Sequence, residues 1–96
     1  MNNKNTVLEE TATDTNVLMN VIYDVARMQR NDFSAKDFIA QVRDRLKGTR
    51  YEEKHEFSRV AKLCGRALRL MRSSGYLSHT ENGAYHIERD MITLKR

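Results

Sequence analysis

A chain of 96 residues with 40% apolar content is sized for one domain around one modest core, and is too apolar for a wholly disordered tail. Seventeen Lys and Arg against thirteen Asp and Glu leave a net charge of +4, an excess that matters mainly where it is clustered. No apolar run approaches the ~18 residues that span a bilayer, and no charged start with an apolar stretch marks a secretory signal. No membrane partner is therefore expected, and a cytoplasmic location is.

Residues 1–13 are rich in Asn, Thr and Glu, with only Val7 and Leu8 as anchors, and are expected to form a flexible N-terminal arm. Asp14 or Thr15 then caps a first helix whose Val17, Leu18, Val21, Ile22, Val25 and Ala26 share one face. The helix is expected to end near Gln29 or Arg30. The short run Asn31-Asp32-Phe33 is an extended connection placed where a later hairpin can pair with it. Ser34 and Asp37 form a capping-box-like pair, and Phe33 and Phe38 occupy the two positions of a hydrophobic staple. The second helix turns Phe38, Ile39, Val42 and Leu46 inward and stops at Gly48, a residue suited to the left-handed conformation.

The stretch from Thr49 to Glu56 admits two readings. Thr49 and Glu52 form a second capping box that would start the third helix early, bringing His55 into its exposed face. Alternatively, the helix starts near Phe57 after a loop or separate turn. The second reading is preferred because Tyr51 has no core face in the first.

The third helix, over about 57–74, carries the main chemical signal. At 100° per residue, Arg59, Lys62, Arg66 and Arg69 fall within a sector roughly 80° wide. Phe57, Val60, Cys64, Ala67, Leu68 and Met71 centre about 170° away, so a core face opposes a basic face. No acid intervenes between Phe57 and Arg72, whereas a merely solvated helix face usually mixes signs. An Arg guanidinium can bond two acceptors on a guanine edge or clamp a phosphate, while Lys62 is a mobile point charge suited to phosphate. Arg59 and Arg66 are therefore the candidate base readers. Ser58 is placed to donate to phosphate or to cap the helix start. Gly65 neighbours Ala61, and the pair reads as a small seam for a closely packed helix in preference to a DNA-contact role for the glycine. Leu63 and Leu70, between the two sectors, either widen the core contact or meet a second subunit.

After the helix, Gly75-Tyr76-Leu77 exits into a strand, and Glu81-Asn82-Gly83 turns it back toward Ala84-Tyr85-His86-Ile87. A two-residue Asn82-Gly83 turn sets His79 opposite His86. A three-residue loop with Gly83 as the bulge sets Leu77 opposite Ile87, and the apolar pairing favours it. Asn82 is better explained by its turn than by base contact. Arg89 to Arg96 could extend a strand, add a short helix or serve an interface.

The order of three helices and then a hairpin with a Gly turn resembles the winged helix-turn-helix superfamily of DNA-binding domains. Val60 through Leu77 carries most of that resemblance, in Ala67-Leu68, Met71 and Gly75-Tyr76-Leu77. It implies a mainly α domain over 14–90 with a small β-hairpin, followed by a tail at 91–96. By position, it implies that Ser58, Arg59, Lys62 and Arg66 face the major groove of double-stranded DNA, with Arg69 nearer the backbone. The wing around Thr80 to Gly83, including Asn82, would approach an adjacent groove, and Lys54 joins the DNA-binding candidates. The long Gly48–Glu56 connection departs from the superfamily's compact turn.

The function expected is a small sequence-specific transcriptional regulator, acting as a homodimer. The alternative is a winged helix that binds an acidic protein partner as an adaptor or inhibitor subunit. His55, His79, His86 and Cys64 are too scattered for metal-ligand spacing, and no phosphate loop or nucleophile elbow occurs, so neither a cofactor nor an enzyme is expected.

Overall fold

The computed structural model describes the chain from Asn3, with side chains described for residues 14–96. The side chains of the arm expected over residues 1–13 lie outside that described set. Three helices, α1 (Asn3–Arg27), α2 (Ala35–Arg45) and α3 (Lys54–Ser73), precede an antiparallel hairpin of β1 (Leu77–His79) and β2 (Tyr85–Ile87). Single 3-10 turns occupy Arg50–Glu52 and Met91–Thr93. The chain is thus mainly helical with a two-stranded hairpin.

Local signals account for most element ends. Ser34 Oγ accepts from the Asp37 amide at 3.0 Å, and the Phe33 and Phe38 rings meet across that cap with centroids 5.7 Å apart. Gly48 takes a φ of 83° just beyond α2. In the hairpin, Leu77 pairs with Ile87 and Gly83 has a φ of 80°, so the three-residue loop with the glycine bulge is the one adopted. At the start of α1 the structure corrects the expectation. Asp14 and Thr15 lie inside the helix, where Asp14 pairs with Arg50 and Thr15 receives a hydrogen bond from Arg59.

α3 begins at Lys54, three residues before Phe57. Thr49 caps only the turn at Arg50–Glu52, and Glu53 then takes an extended conformation (ψ 139°) that separates this turn from the helix. Tyr51 is thereby turned into the core.

The core is built where the faces converge. Leu18, Ile22, Val25 and Ala26 of α1 meet Phe38 and Val42 of α2 and Val60, Cys64, Ala67, Leu68 and Met71 of α3. Each fully buried large aliphatic contributes about 1.5–3 kcal/mol by leaving water. Val17, expected inside, is 48% exposed, because one residue's rotation from Leu18 carries it about 100° off the buried arc. Met91 and Leu94 are buried with the core, and Arg27 Nε donates to the Leu94 carbonyl at 2.8 Å. Residues 91–94 therefore close over α1 as part of the domain.

Outside its own two strands, the hairpin's bridge pairing to the helical body is at one extended residue, Phe33. Phe33 and Tyr85 exchange two backbone hydrogen bonds, 3.1 and 2.7 Å, and their rings stack. Beside them His86 Nδ1 lies 2.6 Å from Asp32 Oδ1. The hydrogen bond and the charge of Asp32 raise the His86 pKa above its usual 6.5. A raised folded-state value means that this contribution is fully present below the unfolded value and is lost as pH rises through the folded one. Asp32→Asn should therefore lower the melting temperature more at about pH 5.5 than at about pH 8.5. Thermal melts across that range check it, and a pH-independent difference contradicts it.

Candidate nucleic-acid interface

α3 holds its cations outward because its other face is committed to the core. Val60, Cys64, Ala67, Leu68 and Met71 are buried, while Lys62, Arg66, Arg69 and Arg72 are exposed. No ion pair joins any of these four to a carboxylate among the described residues, whereas Arg27, Lys47 and Arg50 each have an acidic partner. Their spacing sets like charges three and four residues apart, an arrangement that costs a helix about 0.2–0.5 kcal/mol per pair. That cost is offset when an external anion binds the face.

The expected site residues divide into four groups. Lys62, Arg66 and Arg69 are brought together on the exposed face as expected. Lys54 is the first residue of α3 and is exposed at that end; Ser58 is exposed too, but its hydroxyl donates back to the His55 carbonyl at 2.9 Å rather than capping the helix. Asn82 sits at the exposed hairpin tip.

Arg59 is the main departure. It is half-buried, and its Nη2 donates to Thr15 Oγ1 at 2.6 Å, which ties α3 to α1. On the wheel it forms the edge of the basic sector, and that edge is the one α1 approaches. Leu63, Arg66 and Leu70 continue along it, lining with Met19, Tyr23 and Arg96 a groove of about 310 Å³.

Gly65 also departs from the expected seam. It is exposed, and a side chain built there would meet nothing within 4 Å. Its place on α3, one turn before Arg69, puts it on the cationic side instead. Arg72 and His79 are additions to the expected set: Arg72 is exposed on α3 and His79 is exposed on β1. The spacing of Arg72, three residues after Arg69, was the available signal; only the fold brings His79 alongside.

Cys64 is fully buried and desolvation pushes its thiol up to about 12, so it stays protonated and packs as a small hydrophobe. Among the described residues no three His, Cys, Asp or Glu side chains converge as a metal site, and no helix is long and apolar enough to cross a membrane. A larger concavity of about 560 Å³ lies between the end of α1 and α2, lined in part by Asp32, Asp37 and Asp44. It gathers none of the α3 cations. In comparisons with known proteins, no family model, curated protein or solved structure matches the chain.

Two substitutions separate the structural from the exposed positions. Arg59→Ala should destabilise the fold by about 1 kcal/mol through the lost hydrogen bond to Thr15, whereas Arg66→Ala should stay within about 0.5 kcal/mol of wild type. Gly65→Ala should stabilise by about 1 kcal/mol, as for an unconstrained helix interior. Urea denaturation of the three variants measures all three values, and a destabilised Gly65→Ala would show that a packing role had been overlooked.

Proposed function

We propose that this chain is a winged-helix protein that binds double-stranded DNA through α3 and acts as a small transcriptional regulator. The order of elements supports the fold: α1, the extended Phe33 paired to the hairpin, α2, α3 and the two strands. The single observation that carries the function is the exposed face of α3, where Lys62, Arg66, Arg69 and Arg72 project together without carboxylate partners among the described residues. A polyanion is the ligand class that neutralises several cations in series, and a helix of this exposure fits the major groove.

Within that reading, Arg66 takes the role of base reader, since its planar fork can bond both acceptors of a guanine edge. Lys62 and Arg69 contact phosphate. Lys54 and Ser58 lie toward the start of the helix and Asn82 at the wing tip. Arg59 serves by fixing α3 against α1. Because one module of this size makes few base contacts, the reading includes a homodimer on paired half-sites.

One observation favours a second reading, an acidic protein partner. The groove beside α3 has an apolar floor of Met19, Tyr23 and Leu63, a Leu70 that is 49% exposed, and Arg66 and Arg96 at its margins. Acidic residues flanking an apolar anchor would complement it.

Titration of duplex DNA at two salt concentrations decides between them. Neutralising about four phosphates predicts that log affinity falls with log salt at a slope of roughly −3 to −4. Arg66→Ala should cost about 1–3 kcal/mol of discrimination between target and random duplex, while Lys62→Ala weakens both alike. No duplex binding at low salt, with binding to an acidic protein retained, would establish the second reading instead.

A further inference from the structure

Between the C-terminal half of α3 and β1 runs an open groove of about 390 Å³, lined by Arg69, Arg72, Ser73, Leu77, Ser78 and His79. Its polar groups come from two elements. Arg69 and Arg72 lie three residues apart on α3, and neither they nor Ser73 make a side-chain hydrogen bond or ion pair to another described residue. Ser78 differs, since its hydroxyl is donated to Glu88 Oε1 at 2.6 Å. His79 forms part of the opposite wall, its ring tilted 54° against Tyr85 at a centroid distance of 4.7 Å, a contact that fixes its orientation.

Gly65 lies one turn before Arg69 and two before Arg72 on the same side of α3. It has no left-handed backbone to maintain and nothing within 4 Å of a side chain placed there. A glycine in a helix interior carries a propensity cost. What the missing side chain provides is room for another backbone to come close.

We infer that this groove seats the sugar-phosphate backbone of one DNA strand, with Arg69, Arg72, Ser73 and His79 holding a phosphodiester and Gly65 admitting the adjoining stretch of backbone. The inference rests on the DNA reading above and adds Arg72, Ser73, His79 and Gly65 to it. Two guanidinium forks, a hydroxyl and an imidazole match the non-bridging oxygens of a diester, and the cations continue along α3 to Lys62, as a chain of phosphates requires. Phosphate contacts of this kind set register on the duplex without reading sequence.

The experiment compares wild type, Arg72→Ala and Gly65→Ala on target and random duplex across salt, with thermal melts on each protein. Arg72→Ala should weaken both duplexes alike, about tenfold at low salt, and reduce the salt slope by about one. Gly65→Ala should bind about tenfold more weakly while melting higher than wild type, a combination that loss of folding cannot produce. If wild type binds duplex and both variants match its affinity and slope, the groove inference is overturned and the α3 reading stands. If wild type binds no duplex, both are overturned. Inorganic phosphate, followed by amide NMR, distinguishes the source of the anion: saturable shifts at Ser73, Ser78 and His79 without duplex binding would mark a free-anion site and overturn the nucleic-acid assignment.

Discussion

The opposed faces of α3 are the constraint on which the rest depends. One face, from Val60 through Met71, is held in the core by packing against α1 and α2, so the helix cannot rotate to hide its other face without exposing buried apolar surface. The cations on that face are consequently fixed in direction and kept close together. Their mutual repulsion is small beside the core energy that enforces it, so the face stays charged and outward. Arg59 shows where the face ends: at the edge approached by α1 the guanidinium is drawn into a hydrogen bond with Thr15.

The hairpin acquires its position relative to α3 by a different route. A two-stranded hairpin is marginal in isolation, and here Phe33 supplies paired backbone groups and a stacked ring to Tyr85. The His86–Asp32 contact adds an exposed, pH-sensitive tether nearby. Leu77 enters the core from β1, so the strand that follows it is brought alongside the last turns of α3. Residues 91–94 then cover α1, and Arg96 reaches Asn16 and Asn20. Helix, hairpin and C-terminal segment are thus braced against a common body.

Features governed by local chemistry were legible in the sequence. The Ser34 cap, the Phe33–Phe38 staple and the hairpin register follow from side chains a few residues apart, and the α3 core face follows from helical period alone. Features that depend on which elements meet were not. A helical wheel places Arg59 beside Arg66 but does not say which flank α1 will approach. Met91 and Leu94 stand in a polar setting with no repeating pattern, so their burial emerges only from the fold. Gly65 carries a signal, its cost in a helix, but that signal does not choose between a packed seam and a DNA contact, and the fold leaves the seam open. The groove joining Arg72 to His79 is likewise a product of tertiary arrangement.

The central claim is that an anchored helix presents cations without carboxylate partners among the described residues to a polyanion. Amide NMR of the folded protein titrated with duplex DNA at low salt tests it most directly, because every backbone position reports independently. The account predicts perturbations concentrated on the exposed positions from Lys54 to Ser73 and on the hairpin from Ser78 to Gly83, with the α1–α2 turn around Asp32 and Asp44 unchanged. Perturbations centred on that turn, or none anywhere at saturating duplex, would contradict it.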